Sequence, residues 1–120
     1  MTAQDRLERT YWAEHAKKPL KLVWTPDGQA ICPVCGVAWG SGAGHAWVET
    51  EQRTAEGLTV VTPSYWICPV CNTEFGNDDM PAEGETLEES WAWLRDRWLE
   101  RVGRSPDVLE RLRKNLGVGE

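Results

Sequence analysis

The four cysteines of this 120-residue chain lie in two copies of one pentapeptide, Ile-Cys-Pro-Val-Cys, at 31–35 and 67–71. Two residues between paired cysteines let the backbone curl so that both sulfurs face one ion. Two such pairs complete the tetrahedral four-thiolate set that suits zinc or a single iron. The spacing therefore predicts one metal, held by Cys32, Cys35, Cys68 and Cys71.

The residues around each pair suit the turn that such a site needs. Pro33 and Pro69 preset φ early in the curl, and amide N–H groups of the turn can point at the first sulfur and stabilise its charge. Gly36 tolerates the positive φ that often follows the second cysteine, and Asn72 is the next best residue for that place. Two independent redox-active pairs are the alternative, but no thioredoxin-like βαβ pattern surrounds either pair.

The pattern of the remaining polar residues predicts a protein without enzymatic activity. A closed four-thiolate site has no open coordination position and activates no water. The sequence has no G-x-S-x-G, P-loop or H-E-x-x-H motif, and Asp78-Asp79 has no recognisable partner base. We expect His15 and His45 to be surface residues, because neither has metal-ligand spacing to the cysteines.

The first two thirds of the chain predict a helix followed by short strands. Leu7 and Tyr11 are four residues apart, as are Trp12 and Ala16, which favours a helix over 4–16 that Pro19 ends. Strand composition and turn residues then predict a hairpin that feeds the first cysteine pair, a Gly-rich loop tip, and a second hairpin between the pairs. The first hairpin has strands at 20–24 and 30–31 around a turn at 25–28. The loop tip is 40–44, and the second hairpin has strands at 45–51 and 58–62.

The C-terminal third predicts a helical hairpin over 86–117. Thr86 and Glu89 form a capping box, and an apolar stripe follows at helical spacing. Ser105 and Pro106 are a second helix start, and Gly117 ends that helix. We expect the aromatic side chains of Trp66, Trp91 and Trp98 to pack the first of these helices onto the metal-binding core. Leu87, Trp91, Leu94 and Trp98 make up the stripe.

Together these elements predict an α+β fold in one domain, 1–120. Its β core is of the four-cysteine zinc-ribbon or rubredoxin type, with an N-terminal helix and a C-terminal helical hairpin. The parts are an N-terminal helix and hairpin strand in 1–30, the ribbon in 31–76 and the hairpin in 86–117.

The charge distribution suggests a partner. The formal net charge is −6, and residues 45–90 hold ten acidic residues but one basic residue. Such a surface disfavours broad contact with nucleic acid, and acidic residues interleave with the C-terminal arginines. The acidic run is either a solvated linker or a face for a protein with a basic surface. The candidate contact residues are Glu74, Asp78, Asp79 and Trp93.

The residues 31–36 and 65–79 resemble the bacterial cysteine-rich CPCC family, which pairs a CPxCG knuckle with one of the form ICPxCGxEFGxDD. Arg95 to Trp98 matches the Arg-x-x-Trp-like pattern that tends to follow in the family. The match covers about 31–101 and departs from the family at Asn72 and in a longer hairpin. The resemblance implies a small zinc ribbon in which the four cysteines bind zinc, and it implies little about activity.

The run from Trp66 to Cys71 also resembles the second iron knuckle of rubredoxin. The first knuckle lacks the usual Gly-Tyr, having Gly36-Val37 instead, and the acidic loop and Gly-Thr-x-Phe region of rubredoxin are missing. This resemblance implies single-electron transfer at iron as an alternative.

The sequence thus predicts a cytoplasmic protein, because its start is too polar for a signal peptide and no apolar run is long enough to span a membrane. The CPCC resemblance implies a bacterial source, and the chain is rich in tryptophan, with 8 residues. The expected function is non-enzymatic: a zinc-binding interaction module, such as an acidic immunity, antitoxin-type or adaptor protein that binds a basic partner. The alternatives are a rubredoxin-like iron carrier and a nucleic-acid-binding zinc ribbon.

Overall fold

The computed structural model describes residues 7–39 and 45–118, so the Gly-rich stretch 40–44 lies outside the described residues. One mixed six-stranded sheet, in the order β4-β3-β2-β1-β6-β5, is followed by two helices, which confirms the α+β class. None of the described helices combines the length and apolar character needed to cross a membrane. The elements are β1 (Leu7–Ala13), β2 (Lys18–Trp24), β3 (Ala30–Ile31), β4 (Ala38–Trp39), β5 (Val48–Arg53), β6 (Thr59–Pro63), α1 (Leu87–Val102) and α2 (Pro106–Leu116).

The N-terminal helix predicted over 4–16 is wrong where the chain is described. Residues Leu7–Ala13 form β1, which pairs antiparallel with β2 and, at Trp12 and Ala13, parallel with β6. Tyr11 and Ala13 are buried at alternate positions, as in a strand. The four-residue spacing of Leu7 and Tyr11 fits a strand as well as a helix, so it does not distinguish the two. Pairing on both sides therefore decides the conformation. Residues 4–6 lie outside the described part.

Two hairpins build the rest of the sheet. The predicted turn at 25–28 is present, with Gly28 at φ 92° and the Gly28 N–H donating to the Thr25 carbonyl at 2.9 Å. The hairpin between the cysteine pairs is also present as β5 and β6, although β5 begins at Val48 rather than at position 45. The first cysteine pair follows β3, and the second follows the isolated bridge between Ile67 and Glu74.

Both predicted helix starts are confirmed. The Thr86 side chain accepts the Glu89 N–H at 3.0 Å, and the Glu89 carboxylate accepts the Thr86 N–H at 2.9 Å, which completes the capping box of α1. Ser105 caps α2, Pro106 follows, and Gly117 ends the helix in the left-handed conformation. These local signals act within one turn, so sequence alone is enough to read them.

A single apolar core joins the sheet, the helices and the cysteines. Trp91 and Trp98 are buried in it, as expected. Trp66, also expected in this packing, lies nearer the surface. It is 39% exposed, and its ring packs against Trp39 and Phe75, with centroids 4.5 and 6.1 Å away.

Gly76 offers a sharp test of the packing near the second cysteine pair. It has φ 95°, and a Cβ there would lie 2.4 Å from the Cβ of Pro63, whose ring cannot turn away. Gly76→Ala should therefore lower the free energy of unfolding by about 3 kcal/mol, from the overlap and the backbone strain. The matched control is Gly84→Ala, at φ 82° with nothing within 4 Å, which should cost about 1 kcal/mol. If urea unfolding showed the same loss of free energy for Gly76→Ala and Gly84→Ala, the contact with Pro63 would not affect stability.

Candidate metal centre

The two cysteine pairs form the same backbone turn twice, 36 residues apart. The Gly36 N–H donates to the Cys32 carbonyl at 3.0 Å, and the Asn72 N–H donates to the Cys68 carbonyl at 2.7 Å. The closing pairs also correspond, because Ile31 pairs antiparallel with Ala38 and Ile67 with Glu74. Each turn is thus a small hairpin with two cysteines at its tip, which we call the first knuckle (31–37) and the second knuckle (67–73).

The residues after each pair adopt the backbone conformation that the sequence predicts. Gly36 has φ 82° and Asn72 has φ 66°, so both lie in the left-handed region. Asparagine enters this region more readily than most residues with a side chain. The departure from glycine at position 72 is therefore compatible with an intact knuckle.

The four sulfurs lie at distances that fit one tetrahedral ion. The Sγ atoms of Cys32 and Cys71 are 3.7 Å apart, those of Cys35 and Cys68 are 3.8 Å apart, and all four lie within 4.8 Å of one another. Thiolates about 2.3 Å from a tetrahedral zinc have sulfur–sulfur edges of about 3.8 Å. A disulfide needs sulfurs about 2.05 Å apart, so the arrangement is a cluster of four free, buried cysteines that could hold a metal ion.

The immediate surroundings provide hydrogen bonds for thiolate charge. The Val34 N–H donates to Cys32 Sγ at 3.4 Å, as predicted for the first sulfur of a pair. Thr73 Oγ1 lies 3.3 Å from Cys71 Sγ. Burial raises the pKa of the Cys32 thiol, while hydrogen bonds from Cys32 and Cys35 lower the pKa of Cys71. A divalent ion would hold all four as thiolates.

No protein-family model, curated protein or solved structure matches the chain. The resemblances to CPCC proteins and to rubredoxin therefore stay predictions. What the centre can do chemically follows from its donor set, because four soft thiolates suit zinc and a single iron alike.

Side chains from both helices bond the carbonyls of the first knuckle. Arg95 of α1 donates to the Val34 carbonyl at 2.8 Å and to the Pro33 carbonyl at 2.7 Å. From α2, Arg111 donates to the Cys35 carbonyl at 3.2 Å, and Asn115 donates to the Gly36 carbonyl at 2.7 Å. The four consecutive carbonyls of residues 33–36 are thus bonded, which fixes the backbone of the turn that carries Cys32 and Cys35.

None of Arg95, Arg111 and Asn115 was expected near the cysteines from the sequence. A signal exists for two of them. Arg95 follows the buried Trp91 by four residues, so it lies on the inner side of α1, and Arg111 directly precedes the buried Leu112. A basic residue on an apolar face needs a buried acceptor, and backbone carbonyls of a knuckle supply one.

Arg95→Ala should weaken metal retention. The change removes both hydrogen bonds to the first knuckle and leaves the Pro33 and Val34 carbonyls without these donors, so we expect an affinity loss of about tenfold. Competition with a chromogenic chelator measures it. Arg104→Ala, an exposed arginine between the helices, is the control and should bind metal like the parent chain. Identical retention in both variants would contradict the role of Arg95.

Asp79 was predicted as a partner contact, but its carboxylate is fully buried. Its Oδ2 accepts the indole N–H groups of Trp47 at 2.9 Å and Trp91 at 2.7 Å, and its Oδ1 accepts the Gly76 N–H at 2.6 Å. The aspartate therefore ties the segment before β5, the helix α1 and the loop after the second knuckle together. It cannot touch a partner at the surface.

The other candidate contacts lie at or near the surface. Trp93 is 57% exposed, and the Arg97 guanidinium lies 4.9 Å from its ring centroid. Asp78 is exposed, and its carboxylate accepts the Glu74 N–H at 2.8 Å. Trp93 and Asp78 border one cavity of about 280 Å³, whose further lining residues are Met80, Ala82, Glu85 and Ser90.

Both histidines differ from the predicted surface placement. His15 lies in the turn between β1 and β2, is half-buried, and contacts Trp47 at a ring distance of 5.6 Å. His45 is buried, with Nε2 3.1 Å from the carbonyls of Val23 and Ile31, and its Nδ1 accepts the Trp47 N–H at 3.0 Å. His45 is therefore neutral with its proton on Nε2, and it holds β2 and β3 to the segment before β5.

His45 should make stability depend on pH. Burial lowers its pKa from 6.5 to about 4, whereas the unfolded chain takes up the proton near pH 6.5. Stability from the neutral imidazole is complete above pH 6.5 and is lost as pH falls towards 4. Between pH 7.5 and 5.5 the loss is about 1 kcal/mol. Urea unfolding of the parent chain and of His45→Gln at pH 7.5 and 5.5 measures this loss. Release of metal at low pH affects the two proteins alike, so the difference between them reports on His45. An equal dependence of the unfolding free energy on pH in the two proteins would contradict the neutral, buried state of His45.

Proposed function

We propose that the chain is a non-enzymatic, zinc-binding protein-interaction module whose ion is structural. The observation that carries the zinc part is the cluster of four buried sulfurs at tetrahedral distances, which leaves no position for water or substrate. In this proposal the two knuckles are the halves of a zinc ribbon of the type that the CPCC resemblance implies. Zinc supplies folding free energy here and no reaction chemistry.

Metal content and the visible spectrum test this part. Protein purified from its native host should contain one zinc per chain and be colourless. One iron per chain with a red colour that dithionite bleaches would replace the proposal by the second candidate, a single-electron carrier. The iron reading is supported by the same donor set and by the exposed side chains of the second knuckle, where an electron could enter.

The proposed contact surface for a partner is centred on Trp93. An exposed tryptophan stacked with an arginine is a typical anchor of protein interfaces, and Asp78 and Glu85 border the adjoining cavity. With the acidic excess of residues 45–90, this surface fits a protein that offers a basic face. An immunity or antitoxin-type protein masking a basic effector, or an adaptor, has this character.

Capture experiments with paired variants test the interaction. The zinc-loaded chain should retain a specific protein of basic surface from its native host, and Trp93→Ala should reduce retention at least tenfold. Leu58→Ala, at another exposed apolar residue, is the control and should bind normally. Recovery of no specific protein, or equal retention by both variants, would count against this surface. Retention on DNA or RNA with steep salt dependence would favour a nucleic-acid-binding ribbon instead.

A further inference from the structure

The two knuckles share the pentapeptide Ile-Cys-Pro-Val-Cys and the same backbone turn, but the side chains of that pentapeptide differ in exposure. Ile31 is 1% exposed and its counterpart Ile67 is 51% exposed. Val34 is completely buried and its counterpart Val70 is 41% exposed. Because the residues are identical, intrinsic preference cannot explain the difference. What differs is the cover that each knuckle receives.

The cover of the first knuckle is helical, basic and apolar. Arg95, Arg111 and Asn115 donate to its carbonyls, and the Leu112 side chain comes within 3.3 Å of where a Cβ on Gly36 would be. A leucine thus packs at the end of the first knuckle, while arginine and asparagine satisfy its partly buried carbonyls. The molecule itself shows which chemistry closes a knuckle of this sequence.

Within the part of the chain that the structure describes, the second knuckle has no comparable cover. No residue in 7–39 or 45–118 donates a hydrogen bond to the carbonyls of residues 69–72. Its exposed apolar side chains continue into Tyr65 and Trp66. Helix α1 reaches the Cys71 end through Leu94, Arg97 and Arg101, but a cavity of about 280 Å³ separates them from the turn. Among the described residues, the Ile67–Val70 side is therefore an exposed apolar surface whose backbone carbonyls at residues 69 and 70 have no protein donor.

We propose that the second knuckle binds a basic amphipathic helix of a partner protein. The apolar residues of the partner helix would cover Ile67 and Val70. An arginine of that helix would donate to the carbonyls of residues 69 and 70, as Arg95 donates to those of residues 33 and 34. Asn72 carries a side chain where Gly36 lets Leu112 approach, so the contact is centred on the Ile67–Val70 side. The inference rests on the proposed interaction function and adds a second contact, distinct from Trp93.

Charge favours a basic partner over a neutral one. Glu74 pairs with Ile67 across the knuckle, and Asp78 bonds the Glu74 N–H. Two carboxylates therefore follow directly on the apolar tip, within the segment that has ten acidic residues and one basic residue. A tetrathiolate zinc centre adds a net charge of −2 at the same place. Arginines or lysines at the rim of a docking helix would meet these charges.

A peptide with the sequence of residues 104–118, which contains α2, is the probe. It is the basic helix of this chain that bonds knuckle carbonyls, through Arg111 and Asn115. The peptide is added to the zinc-loaded, ¹⁵N-labelled protein at concentrations up to about 1 mM, which is on the order of the weakest dissociation constant of interest. It should shift the amide signals of residues 65–72, and the shifts should saturate. Ile67→Asp should weaken this binding at least tenfold with zinc content unchanged, and Leu58→Asp should not. A peptide with alanine in place of Arg111 and Leu112 should cause no saturable shift.

Three outcomes would overturn the inference. The first is the absence of shifts in 65–72, and the second is shifts confined to 32–36, where the peptide would displace the chain's own α2. The third is a concentration-dependent dimer in sedimentation that Ile67→Asp abolishes, which would assign the surface to a second copy. A partner captured through Trp93 that binds Ile67→Asp undiminished would leave the proposed function standing without this contact, whereas recovery of no partner would remove both.

Discussion

Cys32→Ser should leave the chain unfolded at neutral pH even with zinc present. A structural zinc supplies on the order of 10–16 kcal/mol, and a domain has a net stability of about 5–15 kcal/mol. A serine hydroxyl replaces a thiolate poorly as a ligand, and Cys32 is completely buried beside Val34 and Cys71. Far-ultraviolet circular dichroism and tryptophan emission should show loss of the sheet and exposure of the indoles, with no retained metal.

All four cysteines belong to the cluster, so the control for this variant is the chain itself. A strong chelator should unfold it, and restoring zinc under reducing conditions should refold it, whereas the same treatment should not recover Cys32→Ser. If Cys32→Ser unfolded cooperatively in urea with the same midpoint as the parent chain, the apolar core would fold without the ion.

Asp79→Ala should be the most damaging change outside the cysteines. It leaves three buried donors without their acceptor: the indole N–H groups of Trp47 and Trp91 and the Gly76 N–H. We expect the free energy of unfolding of the zinc-loaded protein to fall by about 3–5 kcal/mol. Denaturation in urea, followed by tryptophan fluorescence, measures this loss.

The neighbouring aspartate is a matched control. Asp78 is exposed and bonds the Glu74 N–H, so Asp78→Ala should cost less than about 1 kcal/mol. Asp79→Asn should fall between the two, because its amide keeps one oxygen that can accept. If both alanine variants lost equal stability, the network around Asp79 would not hold the segments together.

Features governed by neighbouring residues could be predicted from the sequence. The knuckles repeat one pentapeptide with Pro33 and Pro69 inside it, and the positive φ at Gly36 and Asn72 follows from the turn itself. The capping box of Thr86 and Glu89 is equally local. Such signals act over a few residues, so no knowledge of the remaining chain is needed.

Features decided by distant partners could not be predicted in this way. Tyr11 and Trp12 favour strands as much as helices, and only pairing with both β2 and β6 decides for β1. Asp79 looks like any member of an acidic run until Trp47 and Trp91 are placed beside it. The burial of His45 depends likewise on carbonyls of β2 and β3.

The helical hydrogen bonds to the first knuckle also bear on how the protein is made. A chain grows from its N-terminus, so all four cysteines are synthesised before Arg95, Arg111 and Asn115. An ion captured by the nascent chain would therefore sit in a centre whose first half is still open to water and to competing chelators. Docking of α1 and α2 would close that half, so that release of an ion through the first knuckle would require these helices to open.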